Sequence, residues 1–333
     1  MKKKDRIGIG LLVGLLLVMV VADLMIGDLF FTPREVLDAL QGKGDPGTLQ
    51  IITRVRTIRV AVALMIGIAL PICGLMMQTV FQNPLADPYI LGVSSGTGLG
   101  VALFILGVPL IGTQVPQWIL DAGVLGAGWV GAAAVLLLIL VMSRRMSNIF
   151  GVLIIGVMLS YIVSAIIQIL QYYSSAEQLQ LFTLWNLGSL SNVTQKHLML
   201  MIPILVVGVL LSIASIKPLN LLLLGDEYAQ TMGLNIKRNR TVLFGATTLM
   251  AGTITAYCGP IGFIGLAIPH VARYLFRTSD HTVLLPSTML LGGSAMLLSD
   301  IIAKVMVIPI NAVTALLGIP IILKVIMGQL KRR

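Results

Sequence analysis

The chain is predicted to be an all-α, polytopic membrane protein of about ten spans, and three observations predict it. Of its 333 residues 57% are apolar and 11% charged, with a mean hydropathy of +0.99; a soluble domain carries roughly a quarter charged residues. Apolar runs close to the roughly 20 residues a span needs recur between short polar connectors. The formal net charge of +10 is spread through those connectors, as the positive-inside bias requires, and forms no patch of the kind that binds nucleic acid. Cys73 and Cys258 lie inside apolar runs, with no CxxC and no histidine cluster at ligand spacing. Neither a disulfide framework nor a metal site is expected.

The elements follow in order. MKKKDR precedes an apolar run from Ile7 to Ala22. It resembles a signal peptide but has no clean small-x-small cleavage site, so we read a retained first helix over about 7–26, with Gly10 and Gly14 as a small-xxx-small pair. Lys2–Lys4 hold its start in the cytoplasm and put Asp28 outside. Thr32-Pro33-Arg34-Glu35 is a capping box with proline at N1, which predicts a surface helix over 33–40. Residues 42–47 read as a loop tip. Arg54, Arg56 and Arg59 then precede an uncharged run from Val60 to Ala86. By span count this cluster faces outward, against the bias. Two readings fit: the arginines snorkel to lipid phosphates, or they dock an acidic partner through bidentate contacts.

Two prolines in 83–88 predict a turn at the inner face. Gly92, Gly96 and Gly100, with Ser94 and Ser95 among them, predict a helix with a bare stripe for packing or pathway lining. No Walker-type GxxxxGK[ST] occurs, so this is no phosphate cradle. The third span ends near Gly107, 107–118 is an outer loop, and a fourth span covers about 122–142 before Arg144-Arg145 inside. Residues 146–176 are uncharged for 31 positions. The polar-aromatic stretch Gln171–Ser175 closes that fifth span, and 177–187 form a short outer helix. The sixth span runs over 198–216, between Lys196 and Lys217.

Residues 217–240 read as a folded element of their own. Asp226 and Glu227 suit the start of a short helix, Leu224, Tyr228 and Met232 make one apolar stripe, Gly233 is a C′ stop, and Asn235 caps a second short helix running into Lys237, Arg238 and Arg240. The stripe needs a cover, either the chain's own membrane domain or a groove on a partner protein. A seventh span over 241–258 is broken at 259–265, a short segment descends over 266–276, and two further spans cover about 282–304 and 311–327. Both termini are expected in the cytoplasm. The interrupted regions at 82–96 and 259–269 each follow a span that begins at a basic cluster, entering from opposite sides, as in an inverted repeat.

Little of this supports catalysis. His270 beside Pro269 reads as structural. Asp300 and Lys304 share a helix face and suit either ion coupling or mutual neutralisation. No nucleophile–base arrangement and no pair of mid-membrane acids occurs. The chain therefore reads as a passive conduit driven by something else.

Arg56…Arg59, NPLADPYILGVSSG (83–96), LLLGDEYAQTMGLN (222–235), GPIGFIGLAIPHVAR (259–273) and AVTALLGIP (312–320) resemble the FecCD family. Those are permease subunits of type II ABC importers for iron–siderophore complexes, haem and cobalamin, and the likeness runs in order from about Arg54 to the C-terminus. The resemblance implies one permease domain over 1–333 with ten helices, paired as a homodimer in the cytoplasmic membrane of a prokaryote and in contact with lipid. It implies a cytoplasmic ATPase pair that carries the ATP and Mg²⁺, this chain binding no cofactor. That pair would grip the loop 218–239 at Leu224, Gly225, Asp226, Glu227, Tyr228, Ala229, Met232, Gly233 and Leu234. It implies an outer substrate-binding protein docked on Arg56, Arg59 and Lys304. The pathway would involve Ser94, Ser95, Tyr172, Tyr173 and Trp185, with Ser147, Asn148, Ile149 and Phe150 as an inner gate. The expected cargo is an iron complex, ferric siderophore or haem, since many members carry these. Cobalamin is the alternative, and an ion-coupled secondary transporter is the reading from another class.

Overall fold

In a bilayer core every backbone N–H must find its carbonyl within the protein, so long apolar runs resolve as helices. The computed structural model describes residues 3–111, 117–145 and 149–330, and no strand occurs among them. The helices are α1 Lys3–Met25, α2 Pro33–Leu40, α3 Pro46–Gln50, α4 Thr57–Val80, α5 Val93–Ala102, α6 Val108–Ile111, α7 Gln117–Arg145, α8 Ile149–Tyr173, α9 Ala176–Asn186, α10 Gln195–Ala214, α11 Ile216–Leu222, α12 Asp226–Thr231, α13 Ile236–Cys258, α14 Ile264–Phe276, α15 His281–Met306 and α16 Ile310–Leu330. Eight helical stretches among the described residues are long and apolar enough to cross a membrane, and two shorter apolar helices, 264–276 and 310–325, lie where the other two of the ten spans are expected.

Capping chemistry sets several boundaries and corrects others. Thr32 and Glu35 form the predicted reciprocal box at the start of α2; its two hydrogen bonds from Thr32 hold the Glu35 carboxyl below its ordinary pKa. The loop expected over 42–47 stops at Asp45, whose carboxylate accepts from Gly47 N at 3.0 Å and Thr48 N at 3.1 Å. With Pro46 at N1 this starts α3 early, and a π-type turn over 51–56 carries it into α4 as one helical rod. That rod ends six residues before Ala86. Gln82 takes φ 47°, with Asn83 N on Gln78 O at 3.1 Å and Gln82 N on Thr79 O at 3.3 Å, a Schellman closure. Part of the outer loop expected over 107–118 is helix α6, and 112–116 lie outside the described residues. The second short helix expected after Asn235 is the first turn of α13, since Asn235 Oδ1 caps Arg238 N at 3.0 Å and the helix runs on without a break.

The chain folds as two compact units. One comprises residues 1–75, 189–206 and 261–333, in which α15 packs on α1, α14 and α16. The other comprises 76–188 and 207–260, in which α5 packs on α7, α8 and α13. There the glycine stripe is packing: a β-carbon on Gly96 would sit 2.6 Å from Gly131 O, and one on Gly100 would run into Ala127 O. Only glycine lets α5 and α7 approach so closely.

Candidate functional site

The loop between α10 and α13 is bonded to the chain on its inner side and open outside. α11 ends in a turn at Gly225, φ +97°, and α12 follows. Ala229 is buried, while Leu224, Tyr228 and Met232 are 58%, 69% and 61% exposed. Glu227 beside them is also exposed. The predicted stripe exists and does not pack on the chain's own fold. Its frame is held from behind. Asp226 pairs with Arg240, a buried residue of α13. Gly233, φ +86°, closes α12 with Leu234 N on Ala229 O at 3.0 Å and its own N–H on Gln230 O at 2.9 Å.

Of the three cations expected to face an acidic partner, two are enclosed within the chain and one is partly open. Arg56 is 6% exposed and points inward. Its Nη1 donates to Leu24 O at 2.7 Å and Met25 O at 2.9 Å, its Nη2 donates to Leu29 O, and its Cζ lies 4.5 Å from the Phe31 ring centroid. The last carbonyls of a helix have no intrahelical donor; Arg56 supplies one to the end of α1. Its guanidinium is thus engaged within the chain. Lys304 is likewise enclosed. Its side chain is 8% exposed, with Nζ 2.5 Å from Asp23 Oδ1 and 2.8 Å from Asp300 Oδ2, both acids being fully buried. The favoured i, i+4 pair is real, and it is internal.

Arg59 alone of the three keeps an exposed edge. Its Nε donates to Asp300 Oδ1 at 2.8 Å and Oδ2 at 3.0 Å, and its Nη1 donates to Ser191 Oγ at 2.8 Å. Sequence reasoning missed Asp23 and Ser191. Asp23 had a signal: an acid near the end of an otherwise apolar span needs a buried cation. Ser191 had none.

The pathway candidates divide. Ser94 and Ser95 are half-buried on α5. Tyr172 and Tyr173, 83% and 66% exposed, form an edge-to-face pair with centroids 5.2 Å apart at the end of α8. Trp185 does not present itself beside them. It stacks on Phe182 at 5.9 Å and packs against the core of Val101, Ala102 and Leu106, because α9 turns Phe182 and Trp185 inward while Leu181 and Leu184 stay exposed. Ser147 and Asn148 lie outside the described residues, as do the side chains of Ile149 and Phe150. In the turn between α4 and α5, Asp87 accepts from Tyr89 N at 2.8 Å, and burial pushes its carboxyl up to about 6.

Comparison with known proteins gives a consistent picture. The model of the FecCD transport family matches residues 15–328. The vitamin B12 import system permease protein BtuC of Klebsiella pneumoniae subsp. pneumoniae is 38% identical over 312 residues, covering 92% of this chain and 89% of that one. Its counterpart from Shigella boydii serotype 18 is 37% identical over 301 residues, covering 89% and 85%. A solved structure of a proposed metal-chelate type ABC transporter, in an inward-facing conformation, aligns with TM-score 0.84 at 29% identity, covering 96% of this chain and 98% of that one.

Proposed function

The chain belongs to the FecCD transport family, and from that premise we propose that it is the membrane permease subunit of an ATP-driven importer for a large metal chelate. The observation that carries the mechanism is the open stripe of Leu224, Tyr228 and Met232 on a braced helix. An exposed aromatic–aliphatic row of this kind suits a groove on a partner. The partner we propose is a cytoplasmic ATPase pair that holds the ATP and Mg²⁺; closure of that pair moves α12, and Asp226–Arg240 passes the motion to α13. A second copy of the chain would complete the path, with both termini in the cytoplasm of a prokaryote, and a substrate-binding protein would deliver the cargo from outside.

For the cargo, the names of the relatives favour cobalamin over the iron complex expected first. An iron chelate is the second reading, kept by the metal-chelate type structural relative. The test is reconstitution of the chain with its ATPase and binding protein in liposomes, with cobalamin, a ferric siderophore and haem assayed in parallel. ATP-dependent accumulation of cobalamin supports the proposal, and preference for either iron ligand replaces the cargo. Uptake driven by an ion gradient without ATP would sink the mechanism.

A further inference from the structure

Arg59 is gripped on one edge and open on the other. Asp300, fully buried, receives the Nε–H on both oxygens, at 2.8 and 3.0 Å. Behind it Lys304 and Asp23 complete a set of two acids and two cations, so the grip carries no net charge. On the opposite edge, among the described residues, Nη1 donates to Oγ of the exposed Ser191 at 2.8 Å, and the Arg59 side chain is 23% exposed. A guanidinium has five donors in a fixed fork, and the Nη1/Nη2 edge matches a carboxylate. Fixing Nε in advance removes much of the rotamer freedom that such a contact would otherwise have to freeze.

We infer that Asp300 is a positioning residue for partner docking. It clamps Nε so that the Nη edge of Arg59 receives one acidic side chain of the binding protein, and Ser191 Oγ holds the place of a carboxylate oxygen until that group arrives. The inference rests on the importer reading, and it makes docking depend on a single presented arginine. Arg56 and Lys304 act behind it, one on the end of α1 and the other between two buried acids.

The experiment is equilibrium titration of the substrate-binding protein against the intact permease–ATPase complex in nanodiscs. Ser191→Glu changes an exposed residue and offers the Nη edge an intramolecular carboxylate; affinity should fall about tenfold, equivalent to ~1.4 kcal/mol. Ser191→Gln, similar in size to the glutamate and uncharged, should lose clearly less affinity than Ser191→Glu. Arg59→Lys keeps the charge and loses the fork, and should weaken binding comparably. Asp300→Asn should weaken docking in the parent and add nothing once Arg59 is alanine, a non-additivity that a purely structural role would not produce. The same holds for Ser191→Glu, which keeps the test decisive if Asp300→Asn fails to fold. With a normal parental complex, losses that simply add to that of Arg59→Ala would overturn the inference alone. Absence of any parental complex would overturn the docking reading and this inference with it.

Discussion

The loop around α12 and the charge cluster around Asp300 solve opposite problems. In the loop, charge is the scaffold and apolar surface is offered: Asp226–Arg240 braces the helix while Leu224, Tyr228 and Met232 lie open. In the cluster, Asp23, Asp300 and Lys304 are enclosed, and one edge of Arg59 is what faces out. Their sequences suggested the same use, since each carries residues suited to a partner. The difference teaches that a charged group in a membrane protein is available to a partner only after the fold's own orphan carbonyls and buried acids have been satisfied.

The largest expected effect tests whether the cluster is internal. Lys304→Met takes from two buried carboxylates the ammonium they share, and should lower stability by about 3–5 kcal/mol, read as thermal unfolding in nanodiscs. Adding Asp23→Asn should restore much of that loss. A variant of unchanged stability that merely bound its outer partner weakly would return Lys304 to the docking surface.

At the stripe the signature should invert. Tyr228→Ala, at a residue 69% exposed, should leave the melting temperature almost unchanged, within about 0.5 kcal/mol. It should weaken ATPase association by about 2 kcal/mol, roughly 30-fold, as truncation of an aromatic anchor does. Lost stability with intact ATPase binding would mean the stripe is core.

Arg56→Ala comes next. Removing a buried cation from three carbonyl partners should destabilise by about 1.5–3 kcal/mol, with α1 loosening first in hydrogen exchange. A docking defect at full stability would contradict the inward geometry.

Asp87 supplies an effect confined to a pH window and a third kind of charge, a carboxyl whose pKa is raised by desolvation. Its folded pKa is raised from 3.8 to about 6 by burial, so the folded state binds the proton more tightly than the unfolded chain does. Stability should therefore decline as pH rises between those two values and level off above them. Asp87→Asn should gain stability above about 6 and match the parent below 3.8. A difference independent of pH would remove the buried carboxylate as its cause.

The sequence by itself determined the fold class, the positions of the long apolar helices and the form of the α12 loop. These depend on interactions within about four residues: the apolar runs, the Thr32–Glu35 and Asn235 caps, the Gly233 stop, and the i, i+4 spacing of Leu224, Tyr228 and Met232. The order of residues states them directly. Only the tertiary structure decided which side of the stripe is covered, that Gly96 and Gly100 serve helix contact, that Trp185 belongs to the core, and that Arg56 ends on the carbonyls of α1. It alone brought Asp23 to Lys304 across 281 positions and Arg59 to Asp300 across 241. A buried charge takes whichever partner the packing of whole helices delivers, and no local pattern records that partner.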